Sequence, residues 1–404
     1  MQNTEPVTVK KGVSLIFIIL CLFIRPALWL LYRFSFDYKT RRGIKRPCLI
    51  LSNHQTGFDH FCICVGFNFG INWVASDTIF RHGFLSRLMV LLVRPIPFSK
   101  GSSDMSAIKN MMKVIKSGGC VGMFPSGNRS LFGEESQIMP GIGKLAKKFN
   151  VPLVLTQIRG GYNTLARWKR GASPGKMTAL VTKVIQPEEL AAMDSAQIDE
   201  IIQKELGFNE FEWNKKERIV FRGRHKAEYL ESALFWCPAC NSTSGLRSEA
   251  CDFFCQDCGA RVRINDYGFF DKVAGAEKIP DTILEWGRAQ LDYVKGFDFS
   301  PFADQPVFSD PGVTLWRAER AKKEHKLDEG TLKLYTDRLE VCGKTFLLKE
   351  TTTAIIGVKK MNVYSTDGVF AITVPSRINL FKYMICAFLL KNKATGGDDD
   401  YYGY

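Results

Sequence analysis

Asn53-His54-Gln55-Thr56-Gly57-Phe58-Asp59 follows the apolar run Cys48-Leu49-Ile50-Leu51. That run reads as a buried strand, so an imidazole and a carboxylate stand in the loop at its end. Further along, Gly122-Met123-Phe124 closes a second apolar run, and Pro125-Ser126-Gly127-Asn128-Arg129-Ser130 follows it. A His–Asp pair at one strand end and an arginine at another can form a single site. His54 would take a proton and Asp59 would orient the ring. Arg129 would hold an anionic group, a phosphate above all.

Outward from these loops the pattern alternates. Short apolar strands at 47–52, 71–75, 91–98, 119–124, 152–158 and 177–184 are separated by helical stretches. Strands alternating with helices predict an α/β sheet. The helix over 104–117 is capped by Asp104, turns Ile108, Met112 and Ile115 to one face, and stops at Gly118-Gly119. Loops after strand ends carry function in such sheets, which puts His54, Asp59 and Arg129 in one crevice. Glu188 to Glu205 reads as one mostly polar helix, and 208–228 is charged.

The order NHQTGFDH, VRPIPFSK, FPSGNRS, VPLVLTQI resembles the glycerolipid acyltransferase family that includes 1-acylglycerol-3-phosphate acyltransferase, over roughly residues 35–225. That family carries NHxxxxD, a strand ending in a basic residue, FPEGTRS and a VPIVPV-like strand. Ser126 stands where the family has Glu, and Asn128 where it has Thr. Lys100 is the nearest candidate for the arginine of the second motif, and it would bind phosphate as a point charge. The resemblance implies an α/β domain with a mixed sheet and flanking helices. It implies acyl transfer from acyl-CoA or acyl carrier protein to the hydroxyl of a lysophospholipid, 1-acyl-glycerol-3-phosphate first, in phospholipid biosynthesis. The departures leave a different lysolipid open. His54 and Asp59 would be catalytic; Arg129, Gly127, Asn128, Ser126 and Lys100 would bind the acceptor. Gly127 and Asn128 suit a tight turn that offers backbone N–H groups. His60, next to Asp59, reads as a packing or helix-surface residue.

Lys and Arg outnumber Asp and Glu by 55 to 41, leaving +14. This favours an anionic partner, nucleic acid or an acidic membrane surface. Val13 to Ile24 is apolar and uncharged, Arg25-Pro26 interrupts it, and Ala27 to Tyr32 continues it. Twelve residues of helix span about 18 Å, short of the roughly 30 Å hydrocarbon core. Basic residues flank both ends, from Lys10-Lys11 to Arg33 and beyond, with Trp29 and Tyr32 as interfacial anchors. This predicts a kinked helix or short hairpin in one leaflet, at the cytoplasmic face. A single tilted span and a soluble core helix are the alternatives.

Of the 12 cysteines, five lie between Cys237 and Cys258; the rest mostly sit in apolar runs, as in a reducing compartment. Cys237-Pro238-Ala239-Cys240 and Cys255-Gln256-Asp257-Cys258 are two knuckles whose thiolates can surround a structural zinc, in a zinc ribbon, with Cys251 spare. A rival function follows: a membrane-tethered zinc-ribbon binding or regulatory protein with a degenerate acyltransferase domain. The ribbon has few basic residues, so no nucleic-acid partner is expected. Asp281 to Val294 reads as an amphipathic helix. From Thr331, strands at 332–335, 339–341, 345–348, 354–358 and 369–374, then a helix over 380–390, suggest a small β-rich domain like a pleckstrin-homology barrel. The organisation read from the chain is a membrane-associating segment (1–34), the α/β domain (35–225), the ribbon (226–270), a helical linker (271–304), the β-rich domain (305–393) and a disordered tail (394–404).

Overall fold

The computed structural model describes residues 15–76, 93–98, 105–318, 324–355, 358–375 and 377–397. Lys100, Asp104 and the tail from 398 lie outside the described residues.

Seven strands form the first sheet: β1 (Phe34–Phe36), β2 (Leu49–Ser52), β3 (Ile71–Ser76), β4 (Ile96–Phe98), β5 (Cys120–Met123), β6 (Leu153–Arg159) and β7 (Met177–Ile185). Their order is β1-β7-β6-β2-β5-β3-β4. From β6 to β4 all neighbours are parallel; β7 runs against β6, and β1 lies parallel to β7. The sheet is therefore mixed. β2 is central and buried on both faces, which is why its sequence is an unbroken apolar run. Leu49 and Leu51 face one core with Leu153, Leu155, Met111 and Ile198. Ile50 faces the other with Val154, Ile158 and Trp73. This period-two alternation fixes the register, and the loops after β2 and β5 leave the sheet side by side.

Several elements differ from the sequence reading. The helix Met105–Lys116 buries Ala107, Met111, Val114 and Ile115, while Ile108 and Met112 sit half-buried at the rim. The face expected from Ile108, Met112 and Ile115 meets the core, with Ile115 inside it and Ile108 and Met112 at its rim. The stretch 188–205 is two helices, Pro187–Ala192 and Ser195–Leu206. Asp194 divides them, because its side chain accepts the Gln197 N–H (2.8 Å) and starts a new helix.

Leu15–Tyr32 is one helix that runs through Pro26, not a hairpin. Phe17, Cys21, Ile24, Leu28 and Tyr32 fall on one stripe, three or four residues apart, and pack on the sheet domain. Tyr32 stacks on Phe58 with ring centroids 4.4 Å apart. The opposite face exposes Leu15, Ile18, Ile19, Leu22, Phe23, Trp29, Leu30 and Leu31. Among the described residues, no helix is long and apolar enough to cross a membrane.

The cysteine region is a four-stranded antiparallel sheet of β8 (Leu246–Glu249), β9 (Asp252–Cys255), β10 (Arg261–Ile264) and β11 (Phe270–Ala274), ordered β11-β10-β9-β8. The helix Ile283–Lys295 follows, with the Thr282 hydroxyl capping Glu285. The last sheet is antiparallel and seven-stranded: β12 (Phe308–Ala318), β13 (His325–Leu334), β14 (Arg338–Val341), β15 (Lys344–Leu347), β16 (Thr352–Ile355), β17 (Lys360–Ser365) and β18 (Gly368–Thr373). Its order is β15-β14-β13-β12-β18-β17-β16, and the helix Leu380–Thr395 packs on it. Sequence reasoning missed β12 and β17. Pro311-Gly312 and a register shift interrupt β12, which breaks the alternation that marks a strand. One core joins these later sheets to Leu131, Phe132, Tyr162 and Trp168 of the first domain.

Candidate active site

β2 ends at Ser52, and the next residues are locked in place before His54 is reached. The Asn53 side chain donates to the Ile158 carbonyl (2.8 Å) and accepts the Ile158 N–H (2.7 Å), tying the loop to β6. The Gln55 side chain accepts the N–H groups of Gly161 (3.0 Å) and Tyr162 (3.2 Å). Gly161 permits this approach, since a Cβ there would lie 2.6 Å from Gln55 Oε1. Between these anchors the His54 backbone is gripped on both sides. Its carbonyl accepts the Ser130 N–H (2.8 Å), and its own N–H donates to Glu135 Oε2 (2.9 Å).

The His54 ring places Nδ1 2.8 Å from Asp59 Oδ2. Asp59 is fully buried at the start of the short helix Asp59–Cys64. The same Oδ2 accepts the Gln55 N–H (2.6 Å) and the Thr56 N–H (2.8 Å), and Oδ1 accepts the Thr56 hydroxyl. A side chain with this many partners is held in one orientation. It fixes the tautomer with hydrogen on Nδ1, which leaves Nε2 as the basic nitrogen. The ring stacks on Phe124 (centroids 3.9 Å, 10° between planes), and Phe124 stacks on Trp73 (4.7 Å).

The β5 loop brings the third motif to this pair. Pro125 sits at the second position of a turn closed by the Gly127 N–H on the Phe124 carbonyl (3.0 Å), and Gly127 has φ of 73°. The Gly127 N–H is thus spent on the turn. Ser126 donates to the Asn128 carbonyl (3.2 Å) and stabilises the same loop. Arg129 lies over Gly57, where a Cβ would come 3.5 Å from its Nη1. Burial lowers its pKa, and the nearby Asp59 charge works against that. Its guanidinium is half-buried near the Asp59 charge, and among the described residues it has no ion-pair partner. Lys100 lies outside the described residues. His60 packs against Phe61 (4.0 Å), and burial pulls its pKa down to about 4. It is a packing residue.

Two carboxyls near the pair were missed from sequence. Glu135 is buried, and burial pushes its pKa up to about 8. Glu210, also buried, accepts the Gly160 N–H (3.1 Å) and the Asn163 N–H (3.2 Å), and burial raises it to about 7. Both sit in stretches that are charged or irregular in sequence, and no local pattern marks them as buried.

The four cysteines of the knuckles converge. Cys237 Sγ lies 3.8 Å from Cys258 Sγ, and Cys240 Sγ 3.7 Å from Cys255 Sγ, with all four within 4.8 Å of one another. A tetrahedron with metal–sulfur bonds of about 2.3 Å has edges of about 3.8 Å. The set therefore fits one metal ion. Cys251 is not part of it; its thiol turns to the carbonyls of Gly223 and Arg224.

The family model described as Acyltransferase matches residues 33–158. That span contains His54, Asp59 and the loop from Ser126 to Arg129. No curated protein matches the chain. Among solved structures, the 1-acyl-sn-glycerophosphate (LPA) acyltransferase PlsC from Thermotoga maritima is similar at 16% identity, covering 47% of this chain and 76% of that one, with a TM-score of 0.39. The linker-DH/PH domains of p115-RhoGEF are similar at 12% identity, covering 28% of this chain and 44% of that one in an N-terminally truncated form, with a TM-score of 0.17.

Proposed function

We propose that the chain transfers an acyl group from acyl-CoA or acyl carrier protein to the hydroxyl of a lysophospholipid, 1-acyl-glycerol-3-phosphate first among them, and that residues 35–225 carry the reaction. The observation that carries this reading is the 2.8 Å contact between His54 Nδ1 and the buried Asp59, with Arg129 alongside. His54 Nε2 takes the proton of the acceptor hydroxyl, and the oxygen attacks the thioester carbonyl. The carbon–sulfur bond breaks, the ester forms, and the thiolate leaves with the proton returned by the imidazolium. Asp59 stabilises the imidazolium throughout. Arg129 holds the acceptor phosphate with its fork of N–H donors, with Lys100 in support.

The exposed apolar face of Leu15–Tyr32 supports a position in the membrane interface, and the reading places it on the cytoplasmic side. Zinc on Cys237, Cys240, Cys255 and Cys258 would hold the ribbon together; four protein ligands leave no open coordination position, so its contribution is to folding. The test is direct: the purified chain is offered labelled acyl-CoA with a panel of lysolipids and an uncharged monoacylglycerol. Transfer to a phosphate-bearing lysolipid supports the reading. Absence of transfer to every acceptor refutes it and leaves the regulatory alternative.

A further inference from the structure

The segment Leu131–Ile138 crosses behind His54 as a strap. It is tied to the rest of the chain from both ends. The Glu135 N–H donates to the Phe208 carbonyl (2.9 Å), and the Ile138 N–H donates to the Gln203 side chain (2.9 Å). Glu134 pairs with Arg288 of the helix Ile283–Lys295 (2.5 Å). Between these ties Glu135 turns its carboxyl inward. Oε2 takes the His54 N–H at 2.9 Å. Oε1 is buried and, among the described residues, has no hydrogen-bond partner. The residue further lines a cleft of about 390 Å³ bounded by Phe132, Gln203, Leu284, Leu291 and Leu389.

A buried carboxyl with one oxygen unsatisfied is costly, and stability alone would favour an apolar side chain there. Its one bond goes to the backbone of the proposed base. We propose that Glu135 is the positioning residue for His54: its carboxyl sets the backbone of residue 54, and with it the aim of Nε2, from the strap. This rests on the acyl-transfer reading above, where a small misplacement of the base lowers the rate without weakening substrate binding. An amide oxygen accepts the same N–H, so Glu135→Gln keeps the bond; Glu135→Ala and Glu135→Leu remove it.

The experiment compares wild type, Glu135→Gln, Glu135→Ala and Glu135→Leu in the full chain by two readouts. The first is acyl transfer to lysophosphatidate. Glu135→Ala and Glu135→Leu should lower kcat by roughly 10-fold or more with KM within about threefold, and Glu135→Gln should stay near wild type. The second needs no substrate. Diethyl pyrocarbonate labelling of His54, followed on its own peptide by mass spectrometry, should change in rate in Glu135→Ala and Glu135→Leu but not in Glu135→Gln. A circular-dichroism melt confirms which variants are folded. Equal kcat and equal labelling in all four proteins overturn the assignment, as does a loss in Glu135→Gln as large as in Glu135→Ala. If wild type transfers nothing, the acyl-transfer reading fails, and the labelling rates alone decide whether Glu135 positions His54.

Discussion

Asp59→Asn separates two contributions that are usually lost together. In the folded chain Oδ2 faces three donors: His54 Nδ1, the Gln55 N–H and the Thr56 N–H, at 2.8, 2.6 and 2.8 Å. Oδ1 faces only the Thr56 hydroxyl, which can rotate to accept a bond. An asparagine therefore turns its oxygen to the three donors and its NH2 to Thr56. The Nδ1–H tautomer of His54 survives, and only the negative charge is gone. Opposite charges about 4 Å apart interact by about 4 kcal/mol at the effective dielectric of a partly buried site. Allowing for the remaining hydrogen bond, about 3 kcal/mol of imidazolium stabilisation is lost, roughly 10²-fold in rate. Asp59→Ala differs. It leaves two buried backbone N–H groups unpaired at about 1–3 kcal/mol each, so it should lose stability as well as activity. The assay is kcat/KM for transfer from acyl-CoA to lysophosphatidate, with thermal melts of both variants. Activity of Asp59→Asn within about threefold of wild type would refute a charge role for Asp59, given that magnitude. A melting temperature as low as that of Asp59→Ala would refute the amide orientation.

His54→Ala should lower transfer by roughly 10²-fold or more with an unchanged melt, and activity within about threefold of wild type sinks the general-base role. Arg129→Ala should cost on the order of 10²-fold with a phosphate-bearing acceptor and little with monoacylglycerol; an equal loss with both makes Arg129 structural. The purified chain should hold close to one zinc by elemental analysis, and Cys237→Ala should release it and melt earlier; an intact melt in a zinc-free preparation overturns the metal assignment. Glu135 predicts a pH signature in stability. Its folded pKa of about 8 lies above the ordinary 4.5, so the unfolded chain gives up its proton first. Stability is then complete below about 4.5 and is lost as pH rises toward 8. Glu135→Gln should be the more stable protein at pH 8, by on the order of a few kcal/mol, with no advantage near pH 4.5; parallel melting curves across that range refute this.

The sequence reading reached furthest where the candidate site depends on strand ends. β2 and β5 are buried on both faces, so they appear as apolar runs, and the loops that follow them hold His54, Asp59 and Arg129. The antiparallel β7 and the parallel pairing around β2 fit the mixed sheet expected for the first domain. The cysteine spacing was equally direct, because two knuckles bring four thiols together with little help from the rest of the fold. What escaped notice depends on distance along the chain. Glu135 meets His54 across 81 residues and Gln55 meets Gly161 across 106. A carboxylate in an irregular stretch looks solvated until the fold buries it. The helix at 105–116 carries Ile108, Met112 and Ile115 on the side that meets the core, and Ala107, Met111 and Val114 complete its buried face.

The residues that follow the first domain are part of the setting of the site. Phe132, Tyr162 and Trp168 share one apolar core with Phe253, Trp286 and Phe381, so the back of the strap is covered by the cysteine sheet and the two long helices after it. Phe132 packs edge-on against Phe381 at 5.7 Å. The helix Ile283–Lys295 is held in turn by the cysteine region: Trp286 donates to the Trp236 carbonyl (2.8 Å), and Gln290 accepts the N–H groups of Phe235 (2.6 Å) and Trp236 (3.1 Å). Trp236 immediately precedes Cys237. From the four thiols to His54 there is a continuous chain of contacts, through Trp236, Trp286, the Arg288–Glu134 pair and Glu135. Removing everything after about residue 225 would uncover three large aromatic side chains behind the strap, each burying roughly 150–250 Å². A first domain cut there would keep the strap's ties to Phe208 and Gln203 but lose the Arg288–Glu134 pair along with its apolar cover.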